Sequence, residues 1–181
     1  WMKFSRDDVA QHVSRNLPAR DLPKVFDTLM RIKAGQYGKP RYGDKTPFYS
    51  WKLKKILADF PEAKIIHIVR NPAATVASLR GMPWAPRSIL LLSLLLAAQT
   101  ARLEKFRGRI LEIRLEDLIE STGETLRKVL DFVGEPWSDQ VMRHETFAPQ
   151  DDMPPFPWFE AAQKPASAAT AMTGVKFPKL H

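Results

Sequence analysis

The sequence predicts an α/β fold with a mainly parallel sheet flanked by helices, and three observations carry that expectation. "AKIIHIVR" (63–70) is a nearly unbroken apolar run, as in a strand covered on both faces. "RILEIRL" (109–115) is a second short run rich in Ile and Leu. Between and after them lie segments with helical periodicity and recognisable start and stop residues, so the order is strand, helix, strand, helix.

The elements follow in turn. Residues 1–36 read as two helices: Ser5 stands as N-cap of the first, and Val25, Phe26, Leu29 and Ile32 form the apolar stripe of the second. "GQYGKPRYGDKTP" (35–47) is a loop of turn formers. Residues 47–60 are expected to be one helix, with Leu53, Ile56, Leu57 and Phe60 inward and Lys52, Lys54 and Lys55 on a solvated face. After the first strand, Asn71 is the expected N-cap of "PAATVASL", with Pro72 at the first helical position. Residues 88–106 form a long apolar helix. Its run "ILLLSLLLAA" is too short to span a bilayer and is expected in the core. In "STGETLRKVLDFVGEPW", Ser121 and Glu124 have capping-box spacing, Gly134 stops the helix and Pro136 prevents its resumption. Beyond Phe147 the chain turns proline-rich and loop-like. One domain over residues 1–181 is the expected organisation.

Composition narrows the chemistry. The chain has 181 residues and no cysteine, so neither disulfides nor thiolate metal sites are available. Its four histidines show no ligand spacing, and no metal is expected. No signal-peptide pattern opens the chain, and the expected location is cytoplasmic. A formal net charge of +8 favours anionic partners.

Two strand or loop ends are built alike: in "RNP" an arginine precedes Asn-Pro, and in "DKTP" a lysine precedes Thr-Pro. In open α/β sheets, ligands bind at such strand ends, where helix N-termini face outward. Arg70 offers a two-pronged donor for an anion, and Ser78 lies about two turns along the same helix, on nearly the face of Asn71. That set suits a phosphate. Alternatively, Arg70 makes an ion pair at a strand end and Ser78 is an ordinary helix residue. His67, within a strand, reads as a core histidine rather than a base.

Three segments, in order, resemble the sulfotransferase superfamily, which moves a sulfuryl group from 3′-phosphoadenosine 5′-phosphosulfate (PAPS) to an acceptor. "GDKTPFYSWKLKKILADFPEAKIIHIVRNPAATVASL" is similar to its Lys-Thr loop, helix and 3′-phosphate-binding strand and helix. "RILEIRLEDLIESTGETLRKVLDFVGEPW" is similar to a later strand and helix, and "PWFEAAQKPASAATAMTGVKFPKL", more loosely, to the terminal cofactor-covering loop, placed at 148–181. The resemblance implies a P-loop nucleotide-kinase-like fold. Arg70 and Ser78 match the family's 3′-phosphate ligands, Lys45 its lysine beside the sulfuryl group, and Lys176 a cofactor contact. Asp44 stands where some carbohydrate-directed members carry a glutamate base; otherwise it is a loop carboxylate paired with Lys45 or Arg41. Glu116 and Asp117 match an acidic pair read as structural, while Leu115 replaces a tyrosine common in relatives. Nothing resembles the family's phosphosulfate loop, which would precede Trp1, so the fold is expected to be N-terminally incomplete.

The implied reaction uses PAPS as co-substrate without a metal. It takes a small-molecule, carbohydrate or peptide hydroxyl acceptor, with no nucleic acid and no membrane span. Oligomeric state is unreadable. Two other readings stand beside it: a non-catalytic module that binds 3′-phosphoadenosine or a partner, and a basic nucleic-acid-binding domain.

Overall fold

The computed structural model describes Asp7 and residues 21–143. The first expected helix of residues 1–36 therefore lies outside the described residues, apart from Asp7, as do Phe147 and the tail. The described residues divide into two compact units, one up to Glu62 and the other from Ala63 onward.

In the first unit, helix α1 spans Leu22–Gln36. Asp21 caps it by accepting the Lys24 N–H at 3.2 Å. Its inner side buries Met30 and Ala34, and Phe26 packs edge-on against Tyr42 and Phe60. The expected helix over 47–60 is instead two pieces: a 3₁₀ turn, Pro47–Trp51, and helix α2, Leu53–Asp59. Thr46 makes no side-chain cap, and the segment starts with tight bonds from Tyr49 N–H to Thr46 C=O and from Lys52 N–H to Tyr49 C=O. A helix start that lacks a side-chain acceptor is commonly closed by such bonds. The α pattern begins only with Ile56 N–H to Lys52 C=O, and Leu53 is the buried anchor of α2.

In the second unit, β1 (Ile65–Val69) pairs in parallel with β2 (Ile110–Arg114), from Ile65 opposite Ile110 to Val69 opposite Arg114. The crossover contains α3 (Pro72–Arg80) and α4 (Ile89–Glu104), which pack on each other. A parallel pair requires such a long connection. Helices α5 (Leu115–Glu120) and α6 (Thr122–Val133) follow β2, and a 3₁₀ turn covers Asp139–Met142. The core of this unit is formed by Ala74, Val76, Leu92, Leu103 and Ile113. Thr125 is buried there too, its hydroxyl donating to the Asp117 carbonyl at 3.1 Å.

Several sequence expectations change. β1 is not covered on both faces: Ile66 and Ile68 are exposed. Helix α4 is not a core helix throughout, since it buries Leu92 and Leu103 while Leu90 is 70% and Leu94 59% exposed. Apolar content identified the helix but could not say how many neighbours it has. The capping box fails for a specific reason. Leu115–Glu120 is a separate helix, so the Ser121 N–H is already donated to the Asp117 carbonyl at 2.8 Å. Glu124 pairs instead with Lys128 at 2.8 Å, and Ser121 makes no side-chain cap. At the other end the expectation holds. Gly134 takes φ 76°, and Glu135 N–H reaches back to the Leu130 carbonyl at 2.9 Å.

Candidate functional site

Arg70 follows the last residue of β1 directly and is half-buried, with its Nε shielded from solvent. Asn71 then caps α3, accepting the N–H groups of Ala73 and Ala74 at 2.9 and 3.2 Å. Pro72 has no N–H, and Thr75 N–H bonds to the Asn71 carbonyl at 2.9 Å. All first-turn donors of α3 are thereby used within the protein. An anion here must be held by side chains, with the helix dipole as a secondary attraction.

Ser78 lies seven residues beyond Asn71, half-buried on α3. A helix places it about 10 Å along the axis and nearly on the same face. A phosphate touching both Arg70 and Ser78 would thus lie along the flank of α3 rather than at its tip.

Glu116 sets the position of this segment. One of its carboxylate oxygens accepts the Asn71 N–H at 2.8 Å, and the other is buried, 3.8 Å from Arg114 Nε. The Asn71 N–H holds its carboxyl below the ordinary 4.5, with smaller help from the charges of Arg114 and Arg70. The structural role read for Glu116 thus takes a specific form: it fixes the β1–α3 junction. The strand register carries the signal, since continuing it past Val69 and Arg114 sets Asn71 beside Glu116.

In the first unit, the loop bearing Asp44 and Lys45 is tied to α1. The Tyr42 hydroxyl donates to Asp27 at 2.6 Å, and Arg31 Nε donates to the same carboxylate at 2.7 Å. Desolvation, then the Asp27 bond, pushes the Tyr42 phenol up to about 12. Asp44 and Lys45 are both exposed, and Asp44 accepts a hydrogen bond from the Tyr49 hydroxyl. Among the described residues no ion pair joins Asp44 to Lys45. Sequence reading missed Tyr49, because a five-residue separation across a 3₁₀ turn belongs to no regular period. It also took "RNP" and "DKTP" as equivalent junctions. Only Asn71 caps with its side chain; Thr46 does not.

His67 is half-buried on β1, with Nδ1 3.2 Å from Glu112 of the neighbouring strand, rather than enclosed in the core. Lys176 lies outside the described residues. Among the described residues there is no group of His, Cys, Asp or Glu that could hold a metal, and no helix long and apolar enough to cross a membrane.

A family model described as "Sulfotransferase family" matches residues 7–139. The chain belongs to the sulfotransferase family. The matched stretch includes Asp44, Lys45, Arg70 and Ser78 and ends before Lys176. This sulfotransferase-family chain is 26% identical over 123 residues to a protein-tyrosine sulfotransferase of Drosophila melanogaster, across 60% of its own length and 24% of the relative's. It is 29% identical over 117 residues to an uncharacterized protein of Aquifex aeolicus (strain VF5), across 58% of its own length and 15% of that protein's. The sulfotransferase-family chain thus matches a quarter or less of each relative's length. No solved structure gives a significant match.

Proposed function

We propose that the chain takes part in sulfuryl transfer from PAPS to a hydroxyl acceptor, on a P-loop nucleotide-kinase-like fold, and carries the half of the site that holds the 3′-phosphate. The observation that carries this reading is the β1–α3 junction. Its backbone donors are all used internally and its position is fixed by Glu116, with Arg70 at the end of β1 and Ser78 on α3, both half-buried. Arg70 supplies the charge and the paired donors, and Ser78 adds one hydroxyl donor.

PAPS, when bound, supplies the activated sulfuryl group. The protein's contribution is positioning and electrostatics, as in phosphoryl transfer. Lys45 meets the negative charge that gathers on the departing phosphate oxygen. Asp44 takes the proton of the acceptor hydroxyl as its oxygen bonds to sulfur. A peptide tyrosine is one acceptor within the class, in keeping with the Drosophila relative, a protein-tyrosine sulfotransferase.

Calorimetry with adenosine 3′,5′-bisphosphate tests the reading. Binding should occur, and Arg70→Ala should weaken it by about 2–4 kcal/mol, as for a partly desolvated charged pair. Lys45→Ala should lower transfer from labelled PAPS by about 10²–10³-fold while bisphosphate binding changes much less. No bisphosphate binding by the wild-type chain would refute the proposal.

A further inference from the structure

We infer that Tyr49 is a positioning residue for Asp44, holding one carboxylate oxygen so that the other faces the acceptor proton; this rests on the sulfuryl-transfer reading above. Three features of the loop support it. First, Tyr49 stands on a fixed base: its N–H donates to Thr46 at 3.0 Å, and its carbonyl accepts from Lys52 at 2.9 Å. Pro47 opens that turn with a constrained φ, and buried Leu53 anchors the helix that follows. Second, the Tyr49 hydroxyl donates to Asp44. Third, the other side of the loop is held by Tyr42 on Asp27. Only Gly43, Asp44 and Lys45 lie between Tyr42 and Thr46, so the reactive pair occupies a short span fixed at both ends.

The arrangement has two chemical consequences. Asp44 is turned toward Tyr49 instead of joining Lys45 in an ion pair, which leaves the lysine's charge for the leaving group. In addition, the Tyr49 phenol is pushed above its usual value of 10.0, first by the Asp44 bond and then by desolvation, so it stays a donor at neutral pH. In the transfer step, the acceptor oxygen bonds to sulfur and the sulfur–phosphate oxygen bond breaks, its electron pair leaving on the phosphate. The acceptor's proton passes to the Asp44 oxygen not held by Tyr49, and Tyr49 keeps its own proton.

The test compares the wild-type chain with Tyr49→Phe, which keeps the ring and removes the donor. Three-bond couplings to the Asp44 carboxyl carbon should report one side-chain rotamer in the wild type and averaging in the variant. With a synthetic tyrosine peptide as acceptor, kcat should fall about ten-fold, the effect expected for loosening one reacting group. The PAPS KM and the bisphosphate affinity should not move. Equal rotamer averaging in both proteins overturns the inference. So does unchanged kcat in Tyr49→Phe when the wild type binds bisphosphate and transfers, and this leaves the proposed function standing. Rates are read in the full-length protein that contains this chain, because the chain is proposed to carry only the 3′-phosphate half of the site. If Asp44→Asn transfers there as fast as the wild type, the base role of Asp44 falls and with it the role given to Tyr49. Absence of bisphosphate binding marks the failure of the proposed function itself.

Discussion

Glu116→Ala removes the carboxylate that holds the β1–α3 junction, and its cost can be worked from the structure. A hydrogen bond to a charged group contributes about 1.5–3 kcal/mol. Here it is the 2.8 Å bond from Asn71 N–H, the Glu116 side chain is 24% exposed, and Asn71 itself is exposed. Water can therefore recover part of the loss, and the expected cost is about 1–2 kcal/mol. That corresponds to roughly 5–30-fold faster amide exchange at Asn71, read by NMR, with much smaller changes in α6. The pH dependence supplies an independent check. The folded Glu116 carboxyl titrates below its ordinary 4.5, so the contact's contribution is complete above that value. It is lost as pH falls through the lower, folded-state value, because there the folded form must take up a proton it resists. Urea unfolding of wild type and Glu116→Ala should therefore differ most near neutrality and converge in acid. An Asn71 exchange rate unchanged within two-fold would refute the reasoning, since the N–H would then owe its protection to something other than this carboxylate.

Other outcomes follow from the same geometry. Asn71→Ala should cost about 1 kcal/mol in unit stability, because Ala73 and Ala74 N–H groups lose their acceptor; chemical denaturation measures it. Ser78→Ala should weaken adenosine 3′,5′-bisphosphate by about 1 kcal/mol, less than Arg70→Ala, because it removes a single neutral donor; calorimetry compares the two. Tyr42 should ionise at about 12, seen by ultraviolet titration. Its contribution to stability should be intact below about 10 and decline between about 10 and 12, where only the unfolded phenol ionises readily. Asp27→Asn should move that titration downward, because the hydrogen bond and the charge of Asp27 both favour the protonated phenol.

What the sequence alone determined is what depends on bonds a few residues long. The order strand–helix–strand–helix, the Asn71-Pro72 start of α3 and the Gly134 stop of α6 all rest on local chemistry: a cap acceptor, a fixed φ, a left-handed residue without a Cβ. Helix spacing likewise sets Ser78 on nearly the face of Asn71, next to Arg70 in sequence.

Tertiary structure decided the rest. Glu116 reaches Asn71 across 45 residues, and Tyr42 reaches Asp27 across 15, through contacts no periodicity encodes. The Ser121 N–H is taken by the Asp117 carbonyl at the end of α5 and so is closed to Glu124, and apolar α4 left Leu90 and Leu94 exposed. A residue's own chemistry says what bond it can make. Which partner takes that bond depends on what the folded chain brings within about 3 Å, and distance along the sequence does not contain that information.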